Sequence, residues 1–169
     1  AMTLATEVCL MKNGILQQYD PPLTVYAKPN NLFVADFVGN PAMNFIDAKA
    51  TKREDGTYSV SFAGVETIFT PNEEFELPSE NVVLGVRPEY IEIAKKGIKA
   101  KVYSTLPAGM ETTVKINVND DILTSVVFGI IDYAVDEKVH FDFKGNGIIL
   151  FDKETSNRLV DGSLAIAKK

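Results

Sequence analysis

The chain has 169 residues, with no tryptophan, one cysteine (Cys9) and one histidine (His140). Neither a two-histidine zinc centre nor a four-cysteine knuckle can therefore be assembled within one chain. A lone cysteine forms no internal disulfide, which fits a reducing compartment without requiring one. None of the eleven glycines is followed by lysine, so the phosphate loop GxxxxGK[ST] is absent. The one GxG, Gly145-Asn146-Gly147, has Leu150 where a dinucleotide loop needs its third glycine, and it reads as a hairpin turn. Long apolar runs are missing too. Near the N-terminus the longest is Val8 to Met11, short of a signal-peptide core, and nothing approaches the ~20 apolar residues of a membrane span. The expectation is a soluble chain that, as given, is not exported. Bases are the minority charge, 17 against 23 acids, for a net charge of −6. That balance repels a phosphate backbone and excludes nucleic acid as a general partner.

The residues present suit an ordinary globular protein: 46% apolar and 24% charged, at a length for about one domain with an appendage. From Asp47 onward the pattern is short segments of period two, broken by turn residues, as in an all-β sandwich or barrel. Tyr58, Val60 and Phe62 alternate after Asp55-Gly56, Val65 to Phe69 follow Ala63-Gly64, and Val82 to Val86 form a continuous apolar run. Ile98, Ala100 and Val102 alternate; Val114, Ile116 and Val118 lead through Asn119-Asp120-Asp121 into Ile122 to Phe128 as a hairpin. Val139, Phe141 and Phe143, with Ile148 to Phe151 returning after Gly145-Asn146-Gly147, read as another.

The first 46 residues differ. Two β-prone runs, Glu7 to Met11 and Ile15 to Tyr19, flank the turn signal Lys12-Asn13-Gly14. Asp20-Pro21-Pro22 ends this hairpin. Leu23 to Tyr26 suits one helical turn, and Asn31 caps a helix over Leu32 to Phe37, stopped by Gly39 and Pro41. The i,i+4 pairs Phe33/Phe37 and Val34/Val38 give it a broad apolar face.

These elements form an ordered series. Ala1 to Ile46, AMTLATEVCLMKNGILQQYDPPLTVYAKPNNLFVADFVGNPAMNFI, resembles the stretch of a sugar-importer ABC ATPase that follows the switch histidine of its nucleotide-binding domain. GVRPEYI (Gly85 to Ile91) resembles the hallmark of the family's C-terminal β-domain, and LFDKETSNRL (Leu150 to Leu159) its closing element. The PAMNF element (Pro41 to Phe45) favours the branch serving maltose-like oligosaccharides and glycerol phosphate over the polyamine branch. The resemblance implies a mainly β fold, an OB-like (TOBE) barrel carrying an N-terminal β-hairpin and short helices left from the ATPase core. It implies residues 1–40 as the remnant of that core and 41–169 as the regulatory, dimerising domain. Catalytic loops, ATP and magnesium would belong to the missing core, so no catalytic, cofactor or metal residue is carried over. The implied partners are a second copy, the core and through it the membrane permease subunits, and an inhibitory signalling protein; the implied location is the cytoplasmic face of the cell membrane. The chain departs from the pattern at Ser156-Asn157, where glycine is common, and at Tyr90, where histidine is.

Six residues are candidates for an interface or regulatory role: Asn44, Phe45, Arg87, Glu89, Phe151 and Asp152. Arg87-Pro88-Glu89 either projects two charges toward a partner or locks a turn as an ion pair. Phe151-Asp152 either sits at a dimer rim or buries Phe151 while Asp152 caps the next turn. His140 should face solvent, and Cys9 should be buried in the parent. Glu73-Glu74 and Asp120-Asp121 are solvated loop charges, since neighbours on a strand face opposite ways and make no glycosidase dyad. If the hairpin and the Leu32–Val38 segment lost a core, then Val8, Leu10, Met11, Ile15, Leu16, Phe33 and Phe37 lost burial, which favours exchange between chains or disorder before Asp20. Two other classes compete: a free-standing OB-like module binding a small oxyanion or oligonucleotide, and a small carbohydrate-active enzyme, the latter disfavoured by the lack of an acid, base or nucleophile constellation.

Overall fold

A computed structural model describes residues 6–39 and 41–167. Strands β1 (Val8–Lys12) and β2 (Ile15–Asp20) pair as a hairpin within the chain, turned by Asn13 and Gly14, both left-handed at φ 52° and 78°. Two short helices follow, α1 (Pro22–Ala27) and α2 (Leu32–Phe37). Asn31 caps α2 as its sequence suggests, its Oδ1 accepting from the Val34 N–H at 3.0 Å.

The rest of the chain forms two antiparallel β bodies. β3 (Asn44–Lys52), β4 (Tyr58–Phe62), β5 (Val65–Pro71) and β6 (Asn81–Val86) come first, followed by a 3-10 turn over Pro88–Tyr90. Then come β7 (Ile91–Ala94), β8 (Ile98–Ala108), β9 (Glu111–Val118), β10 (Asp121–Phe128), β11 (Lys138–Phe143), β12 (Ile148–Asp152) and β13 (Arg158–Ile166). A closed barrel runs β12-β13-β5-β4-β3-β6, and a five-stranded sheet runs β10-β9-β8-β11-β7. One apolar core serves both, with Ile46, Val60 and Leu84 from the barrel joining Val102, Ile116 and Phe141 from the sheet.

The continuous apolar runs of β6 and β12 follow from burial on both faces. Val82, Leu84, Val86, Ile148 and Leu150 enter the main core, while Val83, Ile149 and Phe151 pack outward against Met43 and Ala35 of α2. Gly85 lies between these layers: a Cβ there would sit 2.6 Å from both Met43 Sδ and Phe151 Cε2.

One expectation needs correction, and one distinction lies beyond the sequence pattern. Strand rhythm does not separate the five-stranded sheet from the barrel, because alternation reports a buried face and not which sheet it faces. Nor do β11 and β12 form a hairpin: β11 pairs with β7 and β8, and β12 with β6 and β13. The Gly145-Asn146-Gly147 segment instead crosses from sheet to barrel against the Tyr90 ring. A Cβ at Gly145 would lie 3.3 Å from that ring and one at Gly147 2.8 Å from its hydroxyl, so both glycines answer a packing demand. The β9–β10 hairpin does form, through Asn119 and Asp120 at φ 49° and 75°.

Candidate functional site

The six candidates lie on or just beyond three adjacent strands, β3, β6 and β12. Arg87, at the end of β6, is 2% exposed and holds the N-terminal arm. Its guanidinium donates to the carbonyls of Val38 (2.7 Å) and Tyr26 (2.9 Å) and stacks on the Tyr26 ring at 4.1 Å. The Tyr26 hydroxyl donates to Glu89 Oε1 at 2.6 Å. Of the two readings of Arg87-Pro88-Glu89, the ion pair is absent among the described residues, both side chains being engaged with Tyr26. Burial, then the hydrogen bond to Glu89, pushes the Tyr26 phenol up to about 12. Burial also pulls the Arg87 guanidinium below its ordinary value, though arginine stays charged at neutral pH. The buried Nε of Arg87 has no hydrogen-bond partner among the described residues.

Asn44 opens β3 and ties the two β bodies together. Its Nδ2 donates to the carbonyls of Val86 (3.1 Å) and Thr124 (2.8 Å), and its Oδ1 accepts from the Thr124 N–H (2.7 Å). Phe45 is 36% exposed and meets the fully buried Phe151 edge-on at 6.4 Å. Asp152 accepts from the Thr155 hydroxyl at 2.7 Å and from the backbone N–H groups of Thr155 and Glu154, holding its carboxyl below the usual range. The left-handed residue of that turn is Ser156, at φ 68°, and not Asn157. Asn157 instead lies extended as the bridge partner of Asn31.

The arm presents a divided surface. Leu10, Val25, Val34 and Val38 make a small buried cluster, with Val8 and Phe33 packed at its edge. Met11, Ile15, Leu16 and Phe37 are 55–67% exposed, and Cys9 is exposed as well. His140 alternates with buried Val139 and Phe141 and is half-buried on the outer side of the sheet. Sequence reasoning missed three positioning residues, Tyr26, Thr124 and Gln18. The last is 3% exposed and fixes the hairpin to the arm, donating to the Lys28 carbonyl and accepting from the Asn30 N–H. Nothing local marks them; only pairing opposite buried Leu10 gives Gln18 away. Among the described residues no group of three or more His, Cys, Asp or Glu could hold a metal ion. No helix among them is long and apolar enough to cross a membrane.

Residues 39–91, which contain β3, β4, β5 and β6 of the closed barrel, match the family described as the MalK OB fold domain. Over most of its length the chain is homologous to ATP-binding subunits of ABC transporters, sugar and glycerol-phosphate importers among them. It is 31% identical over 159 residues to the uncharacterized ABC transporter ATP-binding protein y4oS of Sinorhizobium fredii, covering 94% of this chain and 42% of that protein. Identity is 32% over 187 residues to the diacetylchitobiose uptake system ATP-binding protein MsiK of Streptomyces coelicolor, covering 95% and 48%. It is 29% over 161 residues to the sn-glycerol-3-phosphate import ATP-binding protein UgpC 2 of Agrobacterium fabrum, covering 94% and 42%. The chain thus spans less than half the length of these relatives.

Proposed function

We propose that this chain is the regulatory and dimerising C-terminal part of the ATP-binding subunit of a carbohydrate-type ABC importer, coupling and controlling ATP-driven uptake at the cytoplasmic face of the membrane. The observation that supports it best is the arm: a hairpin and two helices clamped to an OB barrel through Arg87, Tyr26 and Glu89, with an uncovered apolar outer face. A clamp of this kind transmits displacement of the arm to the barrel without chemistry of its own. ATP and magnesium would be handled by the core of the longer protein, and the permease subunits would be reached through that core. Residues such as Ile15 and Leu16, each worth ~1.5–3 kcal/mol when fully buried, supply a drive for packing on such a core.

Sedimentation velocity over a wide concentration range tests the dimerising role. The chain should self-associate, and Leu16→Ser/Phe37→Ser should leave that association in place if the barrel domain carries it. A monomer at every concentration refutes dimerisation through this domain. Association abolished by the double variant refutes it equally, because the arm alone would then be responsible.

A further inference from the structure

The outer face of the five-stranded sheet gathers charge against the grain of an acidic chain. Register places Lys101 directly opposite Lys138 and Lys99 directly opposite His140 on β8 and β11. On the other side of β8, Lys101 faces Asn117. Lysines facing one another across a ladder repel, a destabilising arrangement. Lysine on a strand is often protection of a sheet edge, yet Lys101 is paired on both sides, with Lys138 and Asn117, while Lys99 and Lys138 are paired on one side only. None of the three lysines lies within ion-pair distance of a carboxylate among the described residues.

These groups line one groove of about 530 Å³ with Asn117, Asn119 and Asp120 at its rim. Three lysines against one aspartate leave it positive. The charges fall on two rungs of one face with the Ala100–Val139 rung between them, so they span only ~7 Å along the strands, with facing Cβ atoms ~4.5–5.5 Å apart on each rung. An extended acidic polymer would need a longer track.

We propose that this groove is a binding site for a single phosphate group, either inorganic phosphate or the terminal group of a small phosphate monoester. Lys101 and Lys138 grip it from facing strands, Lys99 adds a third ammonium donor, and His140 and Asn117 supply ring N–H and amide donors. A dianion there relieves the Lys101–Lys138 repulsion, so occupancy also stabilises the sheet.

Two-dimensional amide NMR of the whole chain tests this, with inorganic phosphate, glucose 6-phosphate and sodium chloride titrated separately at constant ionic strength. Saturable shifts confined to residues around Lys99–Lys101, Asn117–Asp120 and Lys138–His140 are expected with one or both phosphates and not with chloride. Which phosphate binds more tightly identifies the source. Lys101→Gln/Lys138→Gln should weaken binding by ~10-fold or more, as for the loss of two charge-assisted contacts, and Lys52→Gln on the barrel should not. Lys101→Glu, which pairs Lys138 internally, should also abolish binding while raising Tm, so a folding defect is not mistaken for loss of the site. Unsaturable shifts, equal shifts with chloride, or unchanged affinity in the double variant overturn the proposal.

Discussion

Replacing Asn44 separates its two candidate roles, an internal tie and an interface contact. The side chain is 8% exposed and makes three hydrogen bonds, two as donor to the Val86 and Thr124 carbonyls and one as acceptor from the Thr124 N–H. Asn44→Ala removes all three, and at ~0.5–1.5 kcal/mol each, with partial rescue of half-buried Thr124 by water, the loss is ~2–4 kcal/mol. Asn44→Asp keeps the shape but turns the donor into an anionic oxygen facing two carbonyl oxygens, costing a further ~1–3 kcal/mol at pH 7. That charge is disfavoured in the folded state, so the introduced carboxyl holds its proton more tightly folded than unfolded. Its penalty relative to the native chain must therefore shrink as pH falls from 7 toward 4.5. Urea unfolding of the three proteins at both pH values measures this. A shared core makes one cooperative transition the expectation. An Asn44→Ala cost below ~0.5 kcal/mol would refute the tie. So would an Asn44→Asp penalty that does not change with pH, or a cost that appears only at concentrations where chains associate, since that marks an intermolecular contact.

Two other outcomes follow from local geometry. Ser156 holds φ 68°, a conformation costing a non-glycine residue ~1–2 kcal/mol, while glycine adds ~0.5–1 kcal/mol of unfolded-state entropy; Ser156→Gly should therefore be stabilising by ~0.5–1 kcal/mol and Ser156→Val destabilising, read as opposite shifts in Tm. The Tyr26 phenol, raised to about 12 by burial and its bond to Glu89, contributes stability that is fully present below pH ~10 and lost as pH climbs through its folded value. Alkaline spectrophotometric titration should show Tyr26 ionising last of the six tyrosines, after exposed Tyr19, whose phenol a hydrogen bond to Glu7 also raises, and Glu89→Gln should bring the last step earlier; six indistinguishable tyrosines would remove the latch from the description.

What was legible in the sequence is whatever local chemistry determines. Asn13-Gly14, Ala63-Gly64 and Asn119-Asp120 turn hairpins because their backbones accept positive φ, and Asn31 caps α2 because its side chain reaches Val34 three residues on. Periodicity located buried faces with similar success, down to the alternation of Tyr58, Val60 and Phe62. It could not say that Phe143 and Ile148 enter different sheets, since two strands joined by a glycine turn look alike whether or not they pair. The candidate site marks the same boundary. Arg87 and Glu89 are visible as charges beside a proline, but their partner Tyr26 lies more than sixty residues away, and no rule of spacing connects them. Burying a guanidinium requires acceptors, so an arginine directly after the apolar run Val82 to Val86 already implies that some other segment must supply carbonyls. The arm does so with Tyr26 and Val38, which makes its docking on the barrel a condition of the barrel's own electrostatics.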